Sequence, residues 1–320
     1  MRPGGAFEAR FPAWPLTRAD LDVVETPVER WAVDGAALLI KRDDLSARAL
    51  GGNKVRALEF LLAGAGSGTR LLTVGATGST HALAVATYGA RLGAAVEVVS
   101  WPQELHAVAR ETGTAMRRTA QVTAAGSVAG AYLRALWRRR RAEVRWVPAG
   151  GSVPLGSLGH VAAALELARQ LARDALPPPA LLVVPLGSGG TAAGLLAGLA
   201  IAGLPTRVVG VQVVPRLVAT RRGVLGLARA TLALVAHHSG ERLPPLVDAR
   251  LEIDRGAYGG AYGRETAAAR DAAALLRAAG GPPLEPTYSA KAFAVALARA
   301  RAAADGAVLF WLTFDGRWLP

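Results

Sequence analysis

The fold class of this chain follows from one stretch, Leu181-Leu182-Val183-Val184-Pro185-Leu186-Gly187-Ser188-Gly189-Gly190-Thr191, which joins an apolar run to a glycine-rich turn. An Ala- and Leu-rich helical segment follows the turn at 192–202. A buried strand, a glycine loop and a helix in this order can cradle a phosphate group, because backbone amides at the helix start point at the anion. Ser188 and Thr191 can add hydroxyl donors. The alternative is a structural turn, since such turns are common in α/β proteins.

The same alternation of strand and helix runs through the rest of the chain. Apolar runs predict strands at 71–75, 96–100, 144–147, 181–186, 208–214 and 308–312. Helical patterns lie between them at 81–92, 161–176, 192–202 and 266–279. We therefore predict an α/β fold of two open, twisted parallel sheets with helices on both faces. A chain of 320 residues, about half of them hydrophobic, also predicts two domains.

The glycine loop after the strand at 181–186 could instead belong to a dinucleotide site. That fingerprint, Gly-x-Gly-x-x-Gly, needs glycine at position 192, where this chain has alanine, and Gly194 lies two places too late. A single phosphate group of the kind carried by pyridoxal phosphate fits the loop better.

Composition excludes several classes of protein. The net charge is +13 and Arg138–Arg141 form a basic run, but arginine is enriched along the whole chain and no nucleic-acid motif accompanies it, so we expect no nucleic-acid partner. There are no cysteines and only five histidines, so we expect no metal site. No apolar stretch is long enough to span a membrane and the N-terminus lacks a signal-peptide pattern, which predicts a cytoplasmic protein.

A second segment with chemical potential is Gly51-Gly52-Asn53-Lys54-Val55-Arg56, in which a glycine turn leads into a helical pattern. A lysine there is close to a helix N-terminus and partly removed from water, and both effects lower the ammonium pKa and favour the free amine that forms a Schiff base. The chain has only three lysines, Lys41, Lys54 and Lys291, so a lysine beside two glycines points to chemistry that guanidinium cannot do. An ordinary surface lysine is the alternative.

A third segment, Gly75-Ala76-Thr77-Gly78-Ser79-Thr80-His81, again stands between a strand and a helix. Ser79, Thr80 and the amides after them could bind the carboxylate of an amino-acid substrate. A simple helix N-cap by either hydroxyl is the alternative, and this segment alone favours it.

Taken in order, these segments resemble the D-cysteine desulfhydrase and 1-aminocyclopropane-1-carboxylate deaminase family, a branch of the type II fold pyridoxal-phosphate enzymes. The resemblance extends over nearly the whole chain. Its most specific parts are the Lys54 motif and the Tyr288 segment. The motifs that carry it are Lys41-Arg42-Asp43-Asp44-Leu45, Gly51 to Arg56, Gly78 to His81, Gly150-Gly151-Ser152, Leu155 to Gly159, Gly187 to Thr191, Ala261-Tyr262-Gly263 and Glu285 to Ala292.

The resemblance implies a cofactor, a domain plan and a set of site residues. Pyridoxal phosphate would lie in the cleft between a larger domain, residues 1–56 and 161–320, and a smaller inserted domain, residues 57–160. Lys54 would form the Schiff base and move the proton at the substrate α-carbon. The further residues are Ser79, Tyr262 and Tyr288 for catalysis, and Asn53, Thr80, Gly187, Ser188, Gly189, Gly190, Thr191, Ser289 and Thr313 for cofactor binding.

Several residues of this chain depart from the family pattern. Thr80 stands where asparagine is usual, and Ala57 stands where a basic residue is usual. Near the C-terminus, Thr313 is kept but Phe314 makes the pocket floor bulkier. After the second tyrosine, Ser289 replaces the glutamate that the cyclopropane deaminases use to protonate the pyridine nitrogen.

A neutral hydroxyl at position 289 suits α-proton removal and β-elimination. The sequence therefore favours a lyase that converts D-cysteine to pyruvate, ammonia and sulfide, with a small amino acid as substrate and a homodimer as the assembly that the resemblance implies. Cyclopropane deamination, racemisation, sulfo-lyase chemistry and a cofactor-binding protein without turnover stay open as alternatives.

Overall fold

The computed structural model describes residues 5–103, 107–302 and 306–318. In these ranges the chain forms ten strands, which in chain order are β1 (Val28–Val33), β2 (Ala36–Lys41), β3 (Arg70–Ala76), β4 (Ala95–Trp101), β5 (Gln121–Ala124), β6 (Val144–Trp146), β7 (Leu181–Leu186), β8 (Arg207–Gln212), β9 (Leu251–Asp254) and β10 (Val308–Trp311). All six predicted strands are confirmed. Strands β1, β2, β5 and β9 were not predicted.

Ten α-helices alternate with these strands in the described ranges. They are α1 (Ala6–Arg10), α2 (Asn53–Leu61), α3 (Thr80–Arg91), α4 (Ala107–Thr119), α5 (Val128–Arg138), α6 (Pro154–Arg173), α7 (Gly190–Ile201), α8 (Arg221–Ser239), α9 (Ala267–Ala278) and α10 (Ser289–Ala302). The four helices predicted between strands correspond to α3, α6, α7 and α9, and the helical pattern predicted after the Lys54 motif corresponds to α2. Helix α6 begins seven residues earlier than predicted, because Pro154 occupies its first turn, where a missing amide is harmless.

The strands form two sheets. The larger has the order β1-β2-β10-β7-β8-β9 and the smaller the order β5-β4-β3-β6. All pairs in the smaller sheet are parallel, and in the larger sheet every pair is parallel except β1 and β2. The predicted α/β class with parallel sheets is therefore confirmed, with one antiparallel edge hairpin added.

That hairpin turns at Asp34 and Gly35, whose φ angles are +47° and +76°. Positive φ at both central positions is the turn that matches the twist of paired strands, and Asp-Gly is its preferred sequence. The sequence signal for this hairpin was therefore present at Asp34–Gly35.

Helix α7, which follows the glycine loop, lies in the core of the larger sheet and is buried along its whole length. Glycines on one face let it approach α6 closely: a Cβ on Gly194 would lie 2.4 Å from the Ser157 carbonyl oxygen, and one on Gly198 2.5 Å from the Ala164 methyl. Gly194, too late for a dinucleotide fingerprint, thus serves helix packing.

The smaller sheet is contained in residues 70–146, inside the predicted smaller domain. Both predicted boundaries, however, fall within helices, after residue 56 in α2 and after residue 160 in α6. Helix α2 also packs in two cores: Leu58 lies with the helices of the smaller sheet, and Phe60 lies with Leu158 of α6. The division at 57–160 therefore stays a prediction.

Candidate active site

A cavity of about 720 Å³ lies between the two sheets, at the end where β3, β7 and β8 lead into their following loops. Ligands of α/β proteins bind in this place, outside the carboxyl ends of parallel strands. The described residues that line it include twelve of the thirteen predicted site residues, namely Asn53, Lys54, Ser79, Thr80, Gly187, Ser188, Gly189, Gly190, Thr191, Tyr262, Tyr288 and Thr313. The three segments singled out in the sequence, around Lys54, around Ser79 and at Gly187–Thr191, thus meet at one site.

Lys54 is the second residue of α2 and borders the cavity. The turn before it depends on Gly52, which has a φ of +94° and comes so close to the 313–315 segment that a Cβ would lie 2.4 Å from the Thr313 carbonyl oxygen. Burial lowers the pKa of Lys54 to about 8. Within the described ranges no acidic side chain pairs with it, so about a tenth of its amine is neutral at pH 7, far more than for an ordinary lysine.

The glycine loop Gly187–Thr191 lines the same cavity. Gly189 has a φ of +95° and caps α7, so that amides at the helix start face the cavity. The side-chain amide of Asn53 donates to the Thr191 hydroxyl at 2.7 Å, and this hydrogen bond joins the loop to the helix that carries Lys54. A phosphate group fits here, because the helix start offers amides and its dipole favours an anion.

Ser152, which precedes α6, belongs to one of the family-like motifs but received no role from the sequence. Its hydroxyl donates to the Ser188 hydroxyl at 2.7 Å and accepts from the Gly190 amide at 3.0 Å. The approach needs glycine at position 150, where a Cβ would lie 2.0 Å from the Ser188 hydroxyl. Ser152 therefore orders the same loop that faces the cavity.

Ser79 and Thr80 stand at the start of α3. The Ser79 hydroxyl accepts from the Ala82 amide at 3.2 Å, so the N-cap expected as the simpler alternative is present. A hydroxyl that accepts one hydrogen bond can still donate another, and Ser79 also lines the cavity. The cap and a contact with a substrate carboxylate are compatible.

Tyr262 and Tyr288 form a pair whose hydroxyl oxygens are 2.7 Å apart. Burial raises the pKa of Tyr262, and it raises the pKa of Tyr288 well above its usual value. Both phenols are therefore neutral at physiological pH. One hydroxyl donates the hydrogen bond within the pair, and the other can donate to a ligand in the cavity.

Glu285, three residues before Tyr288, is a buried acid to which the sequence assigned no role. Its carboxylate accepts from the backbone amides of Thr287, Tyr288 and Ser289 at 2.6 to 2.7 Å. The Ser289 amide is the first of α10, where a helix leaves its amides unsatisfied, and the amides of Thr287 and Tyr288 immediately precede it. Glu285 thus fixes the backbone that presents Tyr288, and because no helix was predicted at 289–302, the sequence analysis did not identify this acid as a helix-capping residue.

Two buried histidines lie near Lys54. Burial, and then the positive charge of Lys54, lower the pKa of His81 and the pKa of His160 to about 3, so both rings are neutral. His81 lines the cavity and its Nε2 is 3.3 Å from the Thr73 hydroxyl, while His160 Nε2 is 3.4 Å from the Thr191 hydroxyl. Neither histidine was a candidate site residue in the sequence.

Of the thirteen predicted site residues, Ser289 is the one that is absent from the described lining of the cavity. It is fully buried at the start of α10, and its hydroxyl has no hydrogen-bond partner among the described residues. Thr313 does reach the cavity, and its carbonyl oxygen accepts a hydrogen bond from the backbone N–H of Asn53 at 3.0 Å. Phe314 lines the cavity beside it, as expected from the sequence.

Among the described residues, no three metal-ligating side chains cluster in a way that could hold an ion. None of the described helices is both long and apolar enough to cross a membrane.

Fold and cavity together define an α/β enzyme that can hold a phosphate-bearing ligand between two sheets. The chain belongs to the family of pyridoxal-phosphate dependent enzymes, whose family model matches residues 20–313. Pyridoxal phosphate is therefore its cofactor, as predicted. The helix start at Gly187–Thr191 and the depressed pKa of Lys54 fit this group, since one offers amides to the phosphate and the other a reactive amine to the aldehyde.

Curated relatives are similar over most of the chain. The chain is 37% identical to nocardicin C-9' epimerase of Nocardia uniformis subsp. tsuyamanensis over 310 residues, which cover 92% of each protein. It is 30% identical to a putative 1-aminocyclopropane-1-carboxylate deaminase of Pyrococcus furiosus, with 86% of this chain and 84% of that protein covered. It is 33% identical to D-cysteine desulfhydrase of Salmonella choleraesuis, with 86% of each covered.

Among solved structures, that of an ACC deaminase homologue superposes with a TM-score of 0.78 at 28% identity, covering 98% of this chain and 95% of that one. The family resemblance drawn from the sequence motifs is thus confirmed.

Proposed function

We propose that this protein uses pyridoxal phosphate to invert the configuration at the α-carbon of an amino acid. The observation that carries the proposal is that two separate proton carriers line one cavity. Lys54 reaches it from α2, and the hydrogen-bonded pair of Tyr262 and Tyr288 reaches it from the larger sheet's loops. In a two-base route to inversion, one group removes the α-proton and a second group returns a proton from the other side. The epimerase with 37% identity supports the same reaction class.

We assign the binding of cofactor and substrate to uncharged hydrogen-bond donors and to helix N-termini that line the cavity. Gly187–Thr191 would hold the phosphate, and Asn53 and Thr313 would flank the ring. Ser79 and Thr80, at the start of α3, would hold the substrate carboxylate. When bound, the cofactor withdraws electrons from the α-carbon and so acidifies its proton.

Lys54 is suited to remove that proton, because a pKa of about 8 leaves part of the amine free at neutral pH. We assign the tyrosine pair, which lines the same cavity, to the other face. Raised pKa values make the phenols weak acids, but a phenolate formed on one ring would be stabilised by the hydrogen bond that the other donates at 2.7 Å.

A second candidate is the β-elimination that the sequence favoured, with D-cysteine as substrate. The desulfhydrase relatives support it, and so does Ser289, a neutral residue in place of the glutamate expected for cyclopropane deamination. The same Lys54 would remove the α-proton, and a tyrosine hydroxyl would polarise the departing sulfur. Both reactions begin with one proton transfer. They differ in whether a proton then returns to the α-carbon or the β-substituent departs.

Three further expectations accompany this proposal. The division into residues 1–56 with 161–320 and residues 57–160, the homodimer and the cytoplasmic location are all implied by the resemblance or by sequence patterns, and we propose them together.

One experiment separates the two candidates. The holoenzyme is incubated in D₂O with single enantiomers of a panel of amino acids, including D-cysteine, and the products are followed by chiral chromatography, mass spectrometry and assays for sulfide and pyruvate. Inversion with uptake of deuterium at the α-carbon supports the epimerase. Sulfide with pyruvate, without inversion of any substrate, would favour the lyase. No reaction with any substrate would leave a cofactor-binding protein without turnover.

The tyrosine pair has its own test in the same assay. Tyr288→Phe should slow inversion by about 100-fold, the lower range for a lost acid–base group, while exchange of the α-proton without inversion continues through Lys54. Equal loss of exchange and inversion would contradict separate roles for the two groups.

A further inference from the structure

The cavity has two halves of different chemistry. The inner half contains Lys54, the glycine loop and the hydroxyl residues at the start of α3. The outer half is formed by Trp101 at the end of β4, Val128 and Tyr132 on α5, and the segment after β8 that includes Pro215 and Val218. Apart from Lys54 and the neutral His81, the lining residues in the described ranges carry no ionisable acid or base other than tyrosine. The outer half thus offers apolar and aromatic surface.

This outer surface is accessible. Val128, Tyr132 and Val218 are exposed to 50%, 43% and 56%. They stand on both sides of the cavity opening, since α5 belongs to the smaller sheet and Val218 follows a strand of the larger one. Clustered exposed apolar side chains that continue a cavity are a mark of a binding surface.

The aromatic geometry favours a ring. The rings of Trp101 and Tyr132 have centroids 6.1 Å apart and planes inclined by 26°, so the two rings stack on each other and form an aromatic pair, here called the aromatic wall, that lines the cavity. Partial burial raises the pKa of Tyr132, so this phenol is neutral and adds no charge to the wall. Aromatic rings prefer stacked or edge-on neighbours at such distances.

We infer that Trp101 and Tyr132 determine specificity by receiving an aromatic ring on the side chain of the amino-acid substrate. The inference rests on the proposed function, because it assigns the side-chain end of the substrate whose α-carbon lies at Lys54. A substrate as small as alanine or cysteine would fill the inner half alone and leave the apolar wall in water.

The test compares aromatic and aliphatic amino acids on the holoenzyme. Phenylalanine and homophenylalanine are measured against alanine and norleucine, by deuterium exchange at the α-carbon. We expect kcat/KM to be at least about tenfold higher for an aromatic substrate than for norleucine, which is apolar without a ring. Alanine or norleucine reacting as fast as both aromatic substrates would overturn the inference.

Substitutions on α5 test whether the preference for aromatic substrates depends on Tyr132. Tyr132→Ala should remove about tenfold of the aromatic preference, and Tyr132→Phe, which keeps the ring, should retain it. Leu133→Ala is the matched control, because Leu133 is the next residue on α5, is 68% exposed and is absent from the described cavity lining. A loss in Leu133→Ala equal to that in Tyr132→Ala, or no loss in Tyr132→Ala, would contradict the assignment.

A binding measurement keeps this test independent of turnover. Calorimetry of the holoenzyme with α-methylphenylalanine and with 2-aminoisobutyrate, neither of which has an α-proton, should give tighter binding of the aromatic compound, weakened in Tyr132→Ala and not in Leu133→Ala. If no amino acid exchanges its proton but this pattern holds, the proposed reaction fails and the aromatic site stands. If exchange occurs but both compounds bind equally, the aromatic site fails alone.

Discussion

Lys41 is fully buried and Lys54 is partly buried, and their surroundings differ completely. The Lys41 ammonium is fully buried and donates to Glu166 at 2.6 Å, to Gln170 at 2.7 Å and to the Thr26 carbonyl oxygen at 2.6 Å. Lys54 borders the cavity, and the described residues provide it with no carboxylate. The comparison teaches that a rare lysine in an arginine-rich chain is no proof of chemistry. What distinguishes the reactive amine is the lack of an acidic partner.

The cluster around Lys41 also supports the reactive helix. Arg56, two residues after Lys54, donates to Asp43 at 2.6 Å and to Glu166 at 3.1 Å. Although burial alone would raise the pKa of Glu166, the cations Arg56 and Lys41 bring it below its usual value. Strand β2, helix α2 and helix α6 are therefore tied together by paired charges, while the first turn of α2 faces the cavity.

Replacing Lys54 should give the largest effect. We expect Lys54→Ala to lower the rate of α-proton exchange by about 10³-fold and to remove the visible absorbance of the attached cofactor. Lys54→Arg should be as inactive, because guanidinium keeps the charge but is not a nucleophile at neutral pH. Lys41→Met is the matched control and should keep the absorbance. A band that survives in Lys54→Ala would refute the assignment.

Lys41→Met should instead affect stability. Removing one partner of a buried ion pair leaves Glu166 under-compensated, and we expect the free energy of unfolding to fall by about 3–5 kcal/mol, measured by urea titration. The double variant Lys41→Met/Glu166→Gln should recover part of this loss, because it removes the second charge as well. A loss below about 1 kcal/mol for Lys41→Met would mean that the cluster is not a structural element.

The pH dependence of cofactor attachment sharpens the same comparison. Burial lowers the pKa of Lys54 to about 8, so the free amine increases as the pH rises through 8. Between pH 7 and pH 9 the rate at which apoenzyme acquires pyridoxal phosphate should rise roughly tenfold and then level off. Stopped-flow absorbance measures this rate. A rate that keeps rising in proportion to hydroxide beyond pH 9 would indicate an ordinary lysine pKa.

The smallest effect is expected at the glycine loop. Ser152→Ala removes one hydrogen bond to Ser188 and one to the Gly190 amide, and should weaken cofactor affinity by about fivefold, equivalent to about 1 kcal/mol. Equilibrium dialysis of apoenzyme with pyridoxal phosphate measures it. Ser127→Ala is a suitable control, since Ser127 caps the exposed start of α5 by the same kind of hydrogen bond to Gly130. A similar change in both variants would point to general destabilisation.

By itself, the sequence determined the α/β class, six of the ten described strands, the cofactor and the segments that meet at the cavity. The fold class and the strands rest on local patterns, namely apolar runs and glycine turns that lead into helices, whereas the cofactor rests on the family resemblance that the ordered motifs carry. The hairpin at Asp34–Gly35 carried a local signal as well, in its turn residues.

Only the tertiary structure decided which side chains are partners. Lys41 pairs with Glu166, 125 positions away, and Asn53 binds Thr191, 138 positions away. The 2.7 Å contact between the tyrosine hydroxyls, the role of Glu285 under Tyr288 and the aromatic wall of Trp101 and Tyr132 likewise depend on how separate elements pack. The pKa of a lysine depends on its burial and on the charges around it, and both are set when the chain folds.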